Sequence, residues 1–220
     1  LVGNPSLEVI REVVRNKRDL VIMTAEGRTG LRQRLFGSTS MHLMRKCPCP
    51  VWVIKPTRRK RLAKVLAAVD PYSSTEEGRL LNIKILDLAT SLAQTDGGEL
   101  HIVHAWTLFG EDLLRRRSSR RELDEWVRAE RRKHEQSLDE LLQRYSSLGL
   151  AHQTHLVKGP ARMVIPDVAE RVGADLLVMG TLCRTGIAGF FIGNTAEHVL
   201  QHVECSVFTV KPDRFITPVK

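Results

Sequence analysis

The chain has 220 residues, is 42% hydrophobic and 27% charged, and carries a formal net charge of +9. This is ample material for a soluble core, and the longest apolar runs, such as residues 174–179, fall far short of the ~20 residues needed to cross a bilayer. Four cysteines (Cys47, Cys49, Cys183, Cys205) form no secreted disulfide framework and fit a reducing, cytoplasmic setting.

The opening segment carries Glu8, Arg11, Glu12 and Arg15 and does not read as a signal peptide. Because the first residue is Leu, the true beginning is expected upstream. Residues 19–23 and 51–54 read as short strands, and Arg58-Arg59-Lys60-Arg61 makes a basic linker over 57–61. Residues 64–70 are an apolar run closed by Asp70-Pro71, a buried strand followed by a break. Ser74 and Glu77 form a capping-box pattern that opens a helix, and Gly97-Gly98 ends it. Residues 99–105 are a second strand. Ser119 and Glu122 form another capping box. Leu123, Trp126, Val127, His134, Leu138, Leu141, Leu142 and Tyr145 then make one face of a long helix closed by Gly149. Residues 154–157 are a third strand, and Gly159-Pro160 opens a helix with Pro in its first turn. Residues 174–179, nearly all apolar, read as a central parallel strand. A helix over 193–202 and a strand over 206–210 follow.

Alternating strands and helices predict an α/β fold. It would be a five-stranded, mostly parallel sheet with helices on both faces. Ligands in such sheets bind at the strand carboxyl ends, which gathers Asp70, Ala105 and the loop after Met179 around one crevice.

The ending of the chain is written twice. Residues 1–56 lie on residues 157–212 without a gap. Arg28-Thr29-Gly30 meets Arg184-Thr185-Gly186, Gly37 meets Gly193, His42 meets His198, Cys49 meets Cys205, and Lys55-Pro56 meets Lys211-Pro212. The expected organisation is a C-terminal half module over 1–56, a linker over 57–61, a complete module over 62–212 and a tail over 213–220. The half module lacks the central strand and cannot close its own core, so a preceding segment or a partner must complete it.

The Gly-rich loop from Gly180 to Gly193 leaves a strand and enters a helix, where backbone N–H groups can meet a phosphate. Together with Asp70 at the end of Ala-Ala-Val-Asp, His104-Ala105, Lys158-Gly159-Pro160 and Cys49-Pro50-Val51-Trp52-Val53, this loop resembles the universal stress protein family, in a tandem arrangement. Nucleotide-binding members carry Gly-x2-Gly-x9-Gly-Ser/Thr in this loop. The resemblance implies an adenine-nucleotide hydrolase-like, Rossmann-type fold and ATP or another adenine nucleotide as ligand. Asp70 and Ala105 would meet adenine and ribose, Met179 and Gly180 would line the sugar, and Gly193, Asn194 and Thr195 would meet phosphates. Gly27, Gly37 and Ser38 are the counterparts in the first copy.

Neither loop matches in full. In the second copy Cys183 replaces the second Gly and Asn194 the Ser/Thr, whereas in the first copy Thr24 replaces the first Gly. A Cβ at Cys183 stands where a phosphate should approach.

Cys47-Pro-Cys49 reads as buried thiols, since a zinc site needs four ligands. His101 and His104 lie on opposite sides of their strand, one lining the crevice or the sheet edge. Trp106, Phe109 and Leu113 could form an apolar rim. The Arg runs at 115–117, 120–121 and 131–132 are interleaved with acids at helical spacing.

The expected function is a regulatory or binding role in the stress response, with no dedicated catalysis and no metal. It would act through small-ligand binding and through pairing of residues 51–54 with 207–210, within the chain or across a homodimer, because short apolar edge strands need a cover. An ATP-binding protein with slow hydrolysis and a nucleic-acid-associated basic protein stand as alternatives.

Overall fold

The computed structural model describes residues 4–25, 36–56, 61–146, 151–181 and 193–219. The elements run α1 (Pro5–Asn16), β1 (Val21–Thr24), α2 (Ser38–Lys46), β2 (Val51–Ile54), β3 (Lys64–Ala68), α3 (Glu76–Asp96), β4 (Glu99–Trp106), α4 (Glu111–Arg117), α5 (Arg120–Gln143), β5 (His152–Lys158), α6 (Ala161–Val172), β6 (Leu176–Gly180), α7 (Asn194–His202) and β7 (Ser206–Val210). Local chemistry sets several of the helix ends. The Asn4 side chain accepts from Ser6 N–H and Pro5 opens α1. Ser119 and Glu122 form the expected reciprocal capping box on α5. At α3 the cap is Thr75, one residue later than the pattern suggested, and Gly97 closes the helix in a left-handed conformation (φ 64°). Pro160 is the N-cap of α6, just outside the helix. The short helix α4 was not foreseen.

One seven-stranded sheet runs β1-β2-β7-β6-β3-β4-β5. The five expected strands form one side of it in parallel, with β6 and β4 flanking β3. β1 and β2 pair in parallel with each other. The single reversal is β2 against β7, antiparallel, with Val51 opposite Thr209, Trp52 opposite Phe208 and Val53 opposite Val207. The two edges expected to cover each other do so within the chain.

That reversal relates the two copies by an approximate two-fold, so their helices fall on the same face. One core joins Ile10, Leu43, Met44 and Val53 from the first copy to Val168, Val199, Leu200 and Val207 from the second. On the opposite face α3 and α5 pack a second core around Leu86, Ile102, Leu138 and Phe208. Trp52 and Phe208 meet there, ring centroids 5.7 Å apart.

The repeated lysines lock the junction reciprocally. Lys55 Nζ donates to Val203 O at the C-cap of α7 (2.7 Å), and Lys211 Nζ donates to Met44 O in the last turn of α2 (2.7 Å). Each ammonium thus meets the carbonyl end of the other copy's helix, where orphan acceptors and the helix dipole favour a cation. Phe36 lies 4.4 Å beneath Lys55 and Phe215 lies 4.7 Å beneath Lys211. Lys55 N–H to Ser206 Oγ and Thr209 Oγ1 to Val51 O add two further crossing bonds.

Two outcomes are expected. Phe208→Ala should destabilise the fold by about 3–5 kcal/mol in denaturant unfolding, as a large-to-small change in a packed core; a loss below about 1 kcal/mol would contradict the junction's packing. Burial depresses Lys211 from 10.5 to about 8, so the folded state sheds this proton before the unfolded state does. Stability of the natural chain should therefore rise relative to Lys211→Met as pH increases from about 8 towards 10.5, by up to ~1.4 kcal/mol per pH unit. A pH-independent difference between the two would contradict it.

Candidate functional site

Asp70 follows β3, Ala105 lies near the end of β4, and Met179 and Gly180 end β6. The register sets Ala68 beside both Val103 and Met179, which brings these carboxyl ends together as expected. In the five parallel strands the order is the third, second, first, fourth and fifth in sequence. The gap between β3 and β6 is therefore the topological switch point where such sheets bind ligands.

Asn82 on α3 holds the turn at this gap. Its Oδ1 accepts from Asp70 N–H (2.9 Å) and its Nδ2 donates to Asp70 O (2.7 Å). Asn82 is 4% exposed, so this amide is a buried clamp that fixes where Asp70 leaves the strand. Gly180 packs against α3: a Cβ there would stand 2.7 Å from Leu81 Cδ2. A larger residue at 180 would therefore make the Leu81 side chain give way. Met179 points into the core shared by the two copies and Ala105 packs against it.

Gly193 caps α7 without a side-chain bond, and Asn194 and Thr195 are exposed in its first turn. Gly37 caps α2 in the same way, with Ser38 as its first residue. Among the described residues, no heavy atom beyond its immediate chain surroundings lies within 4 Å of where a Gly37 Cβ would be. Gly27, Cys183 and the repeated Arg-Thr-Gly triplets lie outside the described residues.

Several residues at the site escaped the sequence reading. Thr181 follows Gly180 directly, and its Oγ1 accepts from Lys211 Nζ (2.6 Å). The candidate loop is thereby joined to the junction lysine and, through it, to α2. On the α3 side of β4, His104 Nδ1–H donates to Val69 O (3.2 Å), and His104 Nε2 meets His134 Nδ1 at 2.9 Å. A carbonyl can only accept, so in a neutral His104 Nε2 accepts a hydrogen bond from His134 Nδ1–H. Tyr72 and Trp106 rings flank His134 at 4.5 and 5.7 Å. Trp106 is thus core at 4% exposure rather than rim, while Phe109 is 97% exposed and Leu113 half-exposed. On the other side of β4, His101 meets His155 of the edge strand at 3.0 Å; burial is the main cause holding His155 below the usual imidazole range. A buried polar residue inside an apolar helical stripe, as at Asn82 and His134, is the signal that could have found these contacts.

Among the described residues no group of three or more His, Cys, Asp or Glu side chains is placed to hold a metal ion, and no helix is long and apolar enough to cross a membrane. The basic runs are partly paired: Arg115 bonds Glu111, Arg121 bonds Glu125 and Lys133 bonds Glu130.

The family model for the universal stress protein family matches residues 1–55 and 62–211. Universal stress protein E of Escherichia coli strain K12 is 35% identical over 221 residues, spanning 99% of this chain and 68% of the relative. The Photorhabdus laumondii protein of that name is 30% identical over 99% of this chain and 69% of its own. Among solved structures, PA1789 from Pseudomonas aeruginosa PAO1 superposes with a TM-score of 0.77 at 30% identity, over 96% of this chain and 69% of that one. A universal stress protein from Archaeoglobus fulgidus DSM 4304 shares the fold, with a TM-score of 0.66 at 21% identity over 95% of this chain and 67% of that one. With matched family blocks on both copies and relatives that align along nearly the whole sequence, this chain belongs to the universal stress protein family.

Proposed function

We propose that this chain is a binding and regulatory member of its family, acting in the cytoplasm without dedicated catalysis. A small ligand at the switch point modulates the junction between two modules. The observation that carries this reading is the Lys211 contact pair: one ammonium touches both Thr181, at the start of the candidate loop, and Met44, in the helix of the other copy. A ligand that shifts Thr181 changes a contact on which the junction depends.

In this reading residues 1–56 are the C-terminal half of a first module, 57–61 a linker, 62–212 a complete second module and 213–220 a tail. The repeated order of α1, β1, α2 and β2 against α6, β6, α7 and β7 supports this division. So does the face of β1, where Ile22 is 55% exposed. Its counterpart in the second copy, Val178, lies on a strand covered by α3 and flanked by β3. A strand beside β1 and a helix over Ile22, supplied by another polypeptide segment, would complete the first module. Pairing of modules is intramolecular here, and a homodimer is the further assembly consistent with it.

An adenine nucleoside suits the half of the site that the structure organises best, around the Asn82-clamped Asp70. The phosphate half is weaker because Cys183 and Asn194 replace the family's Gly and Ser/Thr. Titration calorimetry with magnesium-ATP and with adenosine tests this. The two are expected to bind within about tenfold of each other, or ~1.4 kcal/mol, and Asp70→Ala should weaken both. ATP bound about a thousandfold tighter, with Gly193→Val abolishing it, would instead favour a phosphate-gripping ATP protein.

A further inference from the structure

Cys47 and Cys49 flank Pro48 where α2 gives way to β2, with their sulfurs 3.5 Å apart. Cys47 is fully buried and Cys49 is 8% exposed. Lys211 lies close enough to favour charge on Cys47, and its Nζ is held on Met44 O, three residues before Cys47. The pair exists in one copy only: Cys49 repeats as Cys205, but Cys47 repeats as Val203. Cys205 is itself a separate, partly buried thiol, pushed up to about 11 by desolvation.

We propose that Cys47 and Cys49 are a peroxide-reactive dithiol, a modification site at the module junction that closes to an intramolecular disulfide. The hydrogen bond between the two sulfurs is the main cause holding Cys47 below the usual thiol range, with burial opposing it and Lys211 aiding; the same bond pushes Cys49 up. In this scheme Cys47, with Lys211 beside it, attacks first, and Cys49, its sulfur 3.5 Å away, resolves. The Cys47 thiolate attacks one oxygen of hydrogen peroxide. The O–O bond breaks, an S–O bond forms, and the departing hydroxide takes the Cys49 thiol proton and leaves as water. The Cys49 sulfur then attacks the Cys47 sulfur. An S–S bond forms, the S–O bond breaks, and the second hydroxide leaves as water with a proton from solvent. Two thiols are oxidised by two electrons in all and one peroxide is reduced to two waters. The low exposure of the pair restricts the reaction to small hydroperoxides. Oxidation ties the Cys47 sulfur, three residues after the Met44 carbonyl that holds Lys211, into a disulfide, so the modification reaches the contact that joins the two copies.

The test treats the reduced 220-residue protein with hydrogen peroxide, blocks remaining thiols with N-ethylmaleimide under denaturing conditions, and maps the tryptic peptides. The peptide beginning at Cys47 should lose both alkylation sites together and become two hydrogens lighter, while Cys205 stays alkylatable. Cys49→Ser should abolish that species and leave a Cys47 sulfenic acid that dimedone captures. Three results would overturn the proposal: both cysteines remaining alkylatable in the natural chain, oxidation of Cys47 to sulfinic acid with Cys49 still free, or a disulfide from either one to Cys183 or Cys205. Mapping of the natural chain decides the matter even if the variant does not fold.

Discussion

The reversal between β2 and β7 is the constraint on which the rest of the molecule depends. Every other strand pair is parallel, and parallel pairing alone would leave β1–β2 and β7 with exposed apolar edges. Running β2 against β7 removes both edges at once and places α1, α2, α6 and α7 on one face, where they share a core. It also brings the carbonyl end of each copy's last helix over the lysine of the other. A buried ammonium without such a partner costs several kcal/mol, so the lysine and the helix end have to be supplied together.

The same geometry sets the candidate site beside the junction. Lys211 follows β7 directly, and β7 borders β6, whose carboxyl end starts the candidate loop. The side chain that reaches across the two-fold therefore passes Thr181 on the way. On the other flank of the switch point, Asn82 pins Asp70 through its backbone and Leu81 packs closely on Gly180. The candidate site is thus framed by contacts that also serve the fold. Gly180, which the family's loop also holds as glycine, has a packing role against Leu81.

Much of this architecture was legible in residue pattern. The alternation of short apolar runs with capped amphipathic helices gave every strand to within a few residues, and the repeat identified the two edges that meet. Three things were hidden. Lys55 and Lys211 look like surface charges, because the helix carbonyls that bury them lie about 150 positions away in sequence. The helix α4 is masked by Arg115–Arg117, a run that local composition reads as solvated. Trp106 was placed on a rim because its helical cover, around His134, comes from a distant element. At the candidate site, the strand-end positions of Asp70, Ala105, Met179 and Gly180 followed from sheet topology, whereas the polar contacts of Asn82, Thr181 and the paired histidines depend on side-chain meetings that no periodicity encodes.

The central claim is that the two copies form one cooperative unit through β2 and β7. Native-state hydrogen exchange measured residue by residue along these strands tests it most directly. The account predicts that the slowest amides of Val51–Ile54 and Ser206–Val210 open with the same free energy as the slowest amides of β3, on global unfolding alone. Exchange of Val51–Ile54 through a separate opening several kcal/mol below that of β3 would show the first copy detaching on its own, and would contradict it.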